Sequence, residues 1–332
     1  MEALLGKTLT ELQDVALSVG LQKFAGKQLA EWLYVRRVRS FDEMTNISLK
    51  GREALKASYT IGRHDPIREA VSVDGTRKYL FEVGEQFIES VYIPEDDRAT
   101  LCVSTQAGCK MGCRFCMTGT LGFHGHLSAA DILNQIYYFD DLTNVVFMGE
   151  GEPMDNLDHV LRALEIMTAD YGCAWSPKRI TVSTVGIPAM KRFLEQSECH
   201  LAVSMHNPFA IERKEIMPAE KLLSITDIVA LLKQYDWSHQ RRVSFEYICW
   251  AGQNDTPRHA KELLRLLKGL PCRINLIRYH AGVDRAFPAS DEKQMEWFRD
   301  YLTDNGITTT IRKSRGEDIL AACGMLVNSL NA

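Results

Sequence analysis

LCVSTQAGCKMGCRFCMTG, residues 101–119, joins a short β-rich run to three closely spaced cysteines, Cys109, Cys113 and Cys116. The run TLCVST reads as a strand. The residues after it are punctuated by glycine and have no apolar period, so they read as a loop. Outward from this stretch, β-rich and amphipathic segments alternate: a helix from Ser128 to Phe139, NVVFM, a helix from Leu157 to Ala169, RITVST and IPAMKRFLEQ. The alternation continues through CHLAVSM, SITDIVALLKQY, RRVSFEYIC, TPRHAKELLRLLKGL, CRINLI, DEKQMEWFRDYLTDNG and ITTTIR, giving six βα units and a closing strand. Runs as apolar as NVVFM and LAVSM suit strands covered on both faces, as a parallel sheet requires. Ser128 with Asp131 and Ser224 with Asp227 resemble capping boxes, and Thr256-Pro257 puts proline at a first helical position. The class is α/β, either an open doubly wound sheet or a barrel-like closure. Both collect chemistry at the C-terminal ends of the strands.

The flanks differ. Residues 1–65 read as a small helical accessory domain, from LTELQDVALSVG and KQLAEWLYVRRV, with Arg36, Arg37 and Arg39 able to touch phosphate but more simply read as a solvated helix face. Residues 66–98 read as a β-hairpin extension, and residues 99–332 hold the βα series. A net charge of -4 gives no global reason to expect a polyanion partner, so any nucleic-acid surface is local. Charges interrupt the apolar residues at the N-terminus and no stretch approaches membrane-spanning length, which predicts a cytoplasmic protein with no membrane partner. Nine cysteines in a chain too long to need disulfide staples point to metal or redox chemistry for the clustered ones.

The spacing Cys-x3-Cys-x2-Cys comes directly after the first strand of the series. A structural zinc site calls for four ligands, usually as two pairs. Here there is one pair, and His124 and His126 come later without a second knuckle. A disulfide suits neither a reducing compartment nor three clustered thiols, and clustering also argues against bystander cysteines. Cubane iron-sulfur clusters are usually held by four thiolates, so three leave one iron open. A small molecule with both an amine and a carboxylate fills such a position, and S-adenosylmethionine is one. The spacing therefore predicts a radical S-adenosylmethionine (SAM) enzyme, in which an electron from a [4Fe-4S] cluster yields a 5′-deoxyadenosyl radical. Phe115 then packs against the cofactor's adenine, or else is a hydrophobic plug.

After NVVFM comes GEGEP, Gly149 to Pro153. Glycines there let backbone approach a ligand, and a carboxylate accepts from a bound ammonium. A plain loop turn explains the same residues, but their place one βα unit after the cysteines favours the cofactor. Ser183 in VSTVG and Ser204 and His206 in AVSMHNP bring polar groups to the same rim, where each is also an ordinary strand-end residue.

These motifs, with SFDEMTNI, VYIPEDDRATLCVSTQAGC, GEGEPMDN, KRITVSTVGIPA, CRINLI and IRKSRGEDILAACG, closely resemble the RlmN type of radical SAM RNA methyltransferases, of which Cfr is a near relative. The resemblance implies a partial (β/α)6 barrel with an N-terminal helical domain. It implies methylation of carbon 2 of an adenosine in 23S rRNA and, in some members, of adenosine in tRNA. Two SAM molecules serve each turnover, and an electron donor such as a flavodoxin reduces the cluster. That ring carbon is electrophilic, as is a sulfonium, so a radical route replaces direct transfer. By the same resemblance Cys323 accepts the methyl as a thioether, while Cys102 helps remove the ring proton and resolves the protein-RNA link through a disulfide with Cys323. From the residues alone both are core thiols. Glu89 matches a glutamate that hydrogen-bonds the target adenine, although its strand pattern reads as outward-facing. Gly151, Glu152, Ser183, Ser204, Met205 and His206 match cofactor contacts. His280 stands where the family commonly has Asn, and imidazole replaces only part of an amide's hydrogen bonding. Lys178, Arg179, Arg312, Lys313 and Arg315 are placed to neutralise phosphates, or are solvated charge. Two alternatives remain: a Cfr-like carbon 8 methyltransferase, and a nonenzymatic iron-sulfur RNA-binding protein.

Overall fold

A computed structural model describes residues 1–238, 242–280 and 287–327. Its centre is one ten-stranded sheet in simple sequence order: β1 (Arg68–Val71), β2 (Arg77–Val83), β3 (Gln86–Pro94), β4 (Ala99–Cys102), β5 (Asn144–Phe147), β6 (Ile180–Thr184), β7 (His200–Ser204), β8 (Val243–Cys249), β9 (Cys272–Arg278) and β10 (Thr309–Ile311). β4 to β10 run parallel, while β1 to β4 are antiparallel. The sheet does not close, because β1 and β10 are its two edges. The architecture is a partial barrel of six βα units.

Local sequence explains the elements. All seven residues of β8 are buried, as expected of a strand covered on both faces. The Ser128 box is complete, with Asp131 bonding back to the Ser128 backbone, and the Ser224 hydroxyl caps Ile225–Gln234. Pro257 opens Pro257–Leu267 at a position where a backbone N–H has no intrahelical partner. Three features escaped the pattern reading. β1 extends the hairpin to three strands, Gln106–Gly108 pairs with Phe123–His126 around the cysteine loop, and Ala210–Ile216 forms an extra helix after β7.

The helical domain shares the barrel's core instead of standing apart, since Leu4, Leu12 and Leu33 belong to the same buried cluster as Val145 and Leu201. Of its arginines, Arg36 and Arg39 lie on a solvated face while Arg37 turns inward. Arg37 donates to Phe139 O at 2.7 Å, Arg36 lies over Trp32 and binds Glu31, and Arg39 pairs with Asp65. The helical pattern also misses a short parallel pairing of Glu2–Ala3 with Tyr59–Thr60.

Candidate active site

The ribbon around the cysteines works only with glycine at its bend. Gly108 has φ +68°, and a Cβ there would lie 2.0 Å from Gly122 O. The loop is pinned where Cys109 N donates to Gly122 O at 2.8 Å. Cys109, Cys113 and Cys116 all bound one cavity at the C-terminal ends of β5 to β8. Burial pushes these thiols up, Cys109 to about 12, so each keeps its proton until a cation stabilises the thiolate. Among the described residues no three His, Cys, Asp or Glu converge as ligands of a single ion do. Thiols spread around one cavity suit a cluster whose irons each take one of them.

Gly151, Glu152, Ser183, Ser204 and His206 line that cavity, as does Cys323. The glycines of GEGEP are needed for packing. A Cβ on Gly149 would sit 2.7 Å from Val103 O, and one on Gly151, where φ is +95°, would lie 2.5 Å from Gln106 Cβ. The two glutamates divide the work. Glu150 is structural: its carboxylate accepts from Glu89 N at 2.7 Å and from Gly108 N at 3.2 Å, tying β3 to the cysteine ribbon. Glu152 accepts from Met154 N and Val185 N and faces the cavity, and burial pushes it up to about 7. An ammonium ligand would return it to the charged form. The Ser183 and Ser204 hydroxyls have no protein partner among the described residues, which leaves them available to a ligand.

His206 has φ 55° and is buried. Its Nδ1 accepts from Ile248 N at 3.1 Å, so Nε2 carries the hydrogen, and burial lowers its pKa to about 3. The ring meets Phe115 edge-on, centroids 4.7 Å apart, and Phe115 also lines the cavity. Met205 is fully buried and is not among the residues that line the cavity. His280 does not reach the cavity. It bonds Ser314 Oγ at 2.6 Å and lies 3.4 Å from Glu317, because β9 ends beside the 314–317 segment.

Sequence reasoning missed Arg213. Fully buried on Ala210–Ile216, it donates to Met205 O at 2.9 Å, Ser204 O at 2.8 Å and Val185 O at 2.6 Å, and pairs with buried Glu220. One guanidinium thus ties together the strand ends that carry the serines, and its charge favours the thiolate of Cys113. An arginine that answers three carbonyls after a strand has no local signature.

Cys323 bounds this cavity and also a second one of about 590 Å³, which Cys102 lines as well. Its exposed area faces these spaces, so burial still raises its pKa. Burial, then the neighbouring Cys323, pushes Cys102 up to about 12. The disulfide that the resemblance implied is not formed: Cys102 and Cys323 are free thiols. The Cys323 turn rests on the cysteine loop, with Met117 N donating to Gly324 O at 2.8 Å and Thr118 Oγ1 to Leu326 O at 2.9 Å. Glu89 is buried, not outward-facing. It pairs with Lys78 at 3.0 Å and accepts from Val327 N at 3.0 Å.

The larger cavity is strongly basic. Arg98, Lys178, Arg242, Arg273, Lys313 and Arg315 line it together with Arg312, opposed by Glu95 and Glu198. Arg179 lies just outside. No helix among the described residues is long and apolar enough to cross a membrane.

A family model described as the radical SAM superfamily matches residues 103–269, and one described as ribosomal RNA large subunit methyltransferase N-terminal domain matches residues 3–61. The chain is 59% identical over 328 residues to a "probable dual-specificity RNA methyltransferase RlmN" of Bacteroides thetaiotaomicron, covering 97% of this chain and 95% of that one. It is 39% identical over 332 residues to the "dual-specificity RNA methyltransferase RlmN" of Geobacter sulfurreducens, covering 98% and 92%. A solved radical SAM methyltransferase from Sphaerobacter thermophilus superposes with a TM-score of 0.93 at 35% identity, covering 99% of this chain and 100% of that one. With matches to both the helical domain and the barrel over nearly its whole length, the chain belongs to the RlmN family of radical SAM RNA methyltransferases.

Proposed function

We propose that the protein methylates carbon 2 of an adenosine in 23S rRNA, and of an adenosine in tRNA, with Cys323 as the methyl carrier. The observation that carries this reading is the place of Cys323, which bounds both the cavity of the three cysteines and the basic cavity shared with Cys102. The description of the N-terminal domain supports a large-subunit RNA, and the relatives' name supports a second RNA. The segment VYIPEDDRATLC favours carbon 2 over carbon 8.

When bound, a [4Fe-4S] cluster on Cys109, Cys113 and Cys116 and two molecules of SAM supply a methyl group and a 5′-deoxyadenosyl radical. Glu152 accepts from the cofactor's ammonium, beside the hydroxyls of Ser183 and Ser204 and the Nε2–H of His206. Cys323, as a thiolate, would take the methyl as a thioether, S-adenosylhomocysteine being the leaving group, and present it to the basic cavity. Cys102 lines the same space and would take the ring proton once it has itself been deprotonated. Glu89 meets the adenine after Val327 releases it. Basic side chains neutralise phosphates around an adenosine that has left its stack. On this reading residues 1–65 are an RNA-binding accessory unit, 66–98 an extension and 99–332 the catalytic barrel. The protein works in the cytoplasm with a reductant such as a flavodoxin.

Mass mapping of 23S rRNA and tRNA from cells with and without the gene tests this. The expected result is 2-methyladenosine in both RNAs, present only with the gene. Methylation at carbon 8, or none, overturns the reading. Cys323→Ala should abolish RNA methylation, and release of 5′-deoxyadenosine by dithionite-reduced protein excludes a nonenzymatic scaffold.

A further inference from the structure

Glu246 is the fourth residue of β8 and is buried. Strand alternation puts it on one face with Ser244 and Ile248. One carboxylate oxygen is fully committed: Oε1 accepts from Asn275 Nδ2 at 2.7 Å and stands 3.5 Å from Arg312 Nη2. Asn275 is itself fixed by Thr310, which donates to its Oδ1 at 3.0 Å. The other oxygen, Oε2, is buried with no hydrogen-bond partner among the described residues. Buried acceptors are almost always satisfied, so an orphan on a rigidly held carboxylate asks for a donor from outside the chain. Glu246 is among the residues that line the cavity of the three cysteines, with Glu152, Ser204 and Cys323.

Charge narrows the donor. Arg312 already offsets the carboxylate, so a cationic ligand group would leave an excess positive charge in a poorly hydrated site. A neutral O–H or N–H fits. Adenosine offers both, as ribose hydroxyls and as its exocyclic amine.

We propose that Glu246 is an adenosine-recognition residue, its Oε2 accepting a hydrogen bond from a neutral donor on the adenosyl group of the cofactor. This rests on the cofactor reading of the cavity given above. The target adenosine carries the same donors and is the other source the test must separate.

Glu246→Gln and Glu246→Asp supply the test in anaerobically reconstituted protein. In the Gln variant Asn275 holds the side-chain carbonyl, which turns the amide NH2 toward the cavity and replaces an acceptor by a donor of equal shape. The Asp variant keeps the charge but withdraws it. Binding of S-adenosylhomocysteine by calorimetry, and of an unmodified RNA stem-loop by fluorescence anisotropy, are read beside iron content. The expected result is at least tenfold weaker S-adenosylhomocysteine binding in both variants, with iron content and RNA affinity unchanged. Loss of RNA affinity alone overturns the cofactor assignment in favour of the substrate adenosine. Unchanged affinity for both ligands, or loss of iron, overturns the proposal. If the wild type binds no S-adenosylhomocysteine, the cofactor reading fails first.

Discussion

Glu89 accepts a hydrogen bond from Val327 N at 3.0 Å, so the carboxylate expected to meet the target base holds down the segment that comes after Cys323. Lys78 closes the arrangement, 3.0 Å from the other carboxylate oxygen and close to Leu320 O. Removing one member of a buried pair strands the other, at a cost of roughly 3–5 kcal/mol. Lys78→Met should therefore lower unfolding stability by about that much, and adding Glu89→Gln should recover much of it. Urea denaturation of the two variants checks this. Limited proteolysis should cut after residue 316 faster in the single variant.

Arg213 predicts a second large effect. Arg213→Met leaves Glu220 charged and buried and strips donors from Val185, Ser204 and Met205 carbonyls. A loss of roughly 3–5 kcal/mol is expected. Arg213→Lys should recover only part of it, because an ammonium cannot fork to separate carbonyls. Denaturant titration of both variants decides.

His200 makes stability depend on pH. Burial, followed by Arg273, Arg242 and Arg312, lowers its pKa to about 4 from 6.5, and its Nε2 bonds Ser244 Oγ at 2.7 Å. Because the folded-state value is the lower one, the neutral ring's contribution is present above about pH 6.5 and is lost as pH falls toward 4. His200→Gln should remove this loss, so the wild type declines relative to the variant by up to roughly 3 kcal/mol across that window. Unfolding free energies measured at half-unit steps of pH would show it.

Gly151→Ala should be costly beyond its small size. The residue sits at φ +95°, and the new methyl would press on Gln106, whose Oε1 accepts from Glu152 N at 2.9 Å. A loss of about 2 kcal/mol or more is expected from strain and contact together. Thermal unfolding gives the stability, and calorimetry with S-adenosylhomocysteine reads any displacement of Glu152.

The basic cavity predicts a salt signature. Replacing Lys178, Arg242, Arg273 and Lys313 with Gln should flatten the slope of log affinity against log salt by about 3, if each neutralises one phosphate. Anisotropy titrations with an RNA stem-loop at several salt concentrations measure it. An unchanged slope would place the RNA elsewhere.

What could be read from the chain depended on range. Periodicity located six βα units and the closing strand, since helix starts such as Ser128 and Pro257 and apolar runs such as β5 are local signals. Spacing located the three cysteines, and motif order located Gly151, Glu152, Ser183 and Ser204, all of which meet in one cavity. Glu89, Arg213 and Glu246 were misjudged or overlooked because a charge becomes buried only through distant partners, here Lys78, Glu220 and Asn275. His280 aligned with a cofactor position but turned to Ser314, a contact 34 residues away that no motif encodes. Arg37 looked solvated for the same reason, since its acceptor, Phe139 O, lies outside the segment.

The peptide bond of Met117, one residue beyond Cys116, supports the turn that carries Cys323. The loop of the three cysteines and the turn that carries Cys323 therefore move as one piece, so a disturbance of either reaches the other.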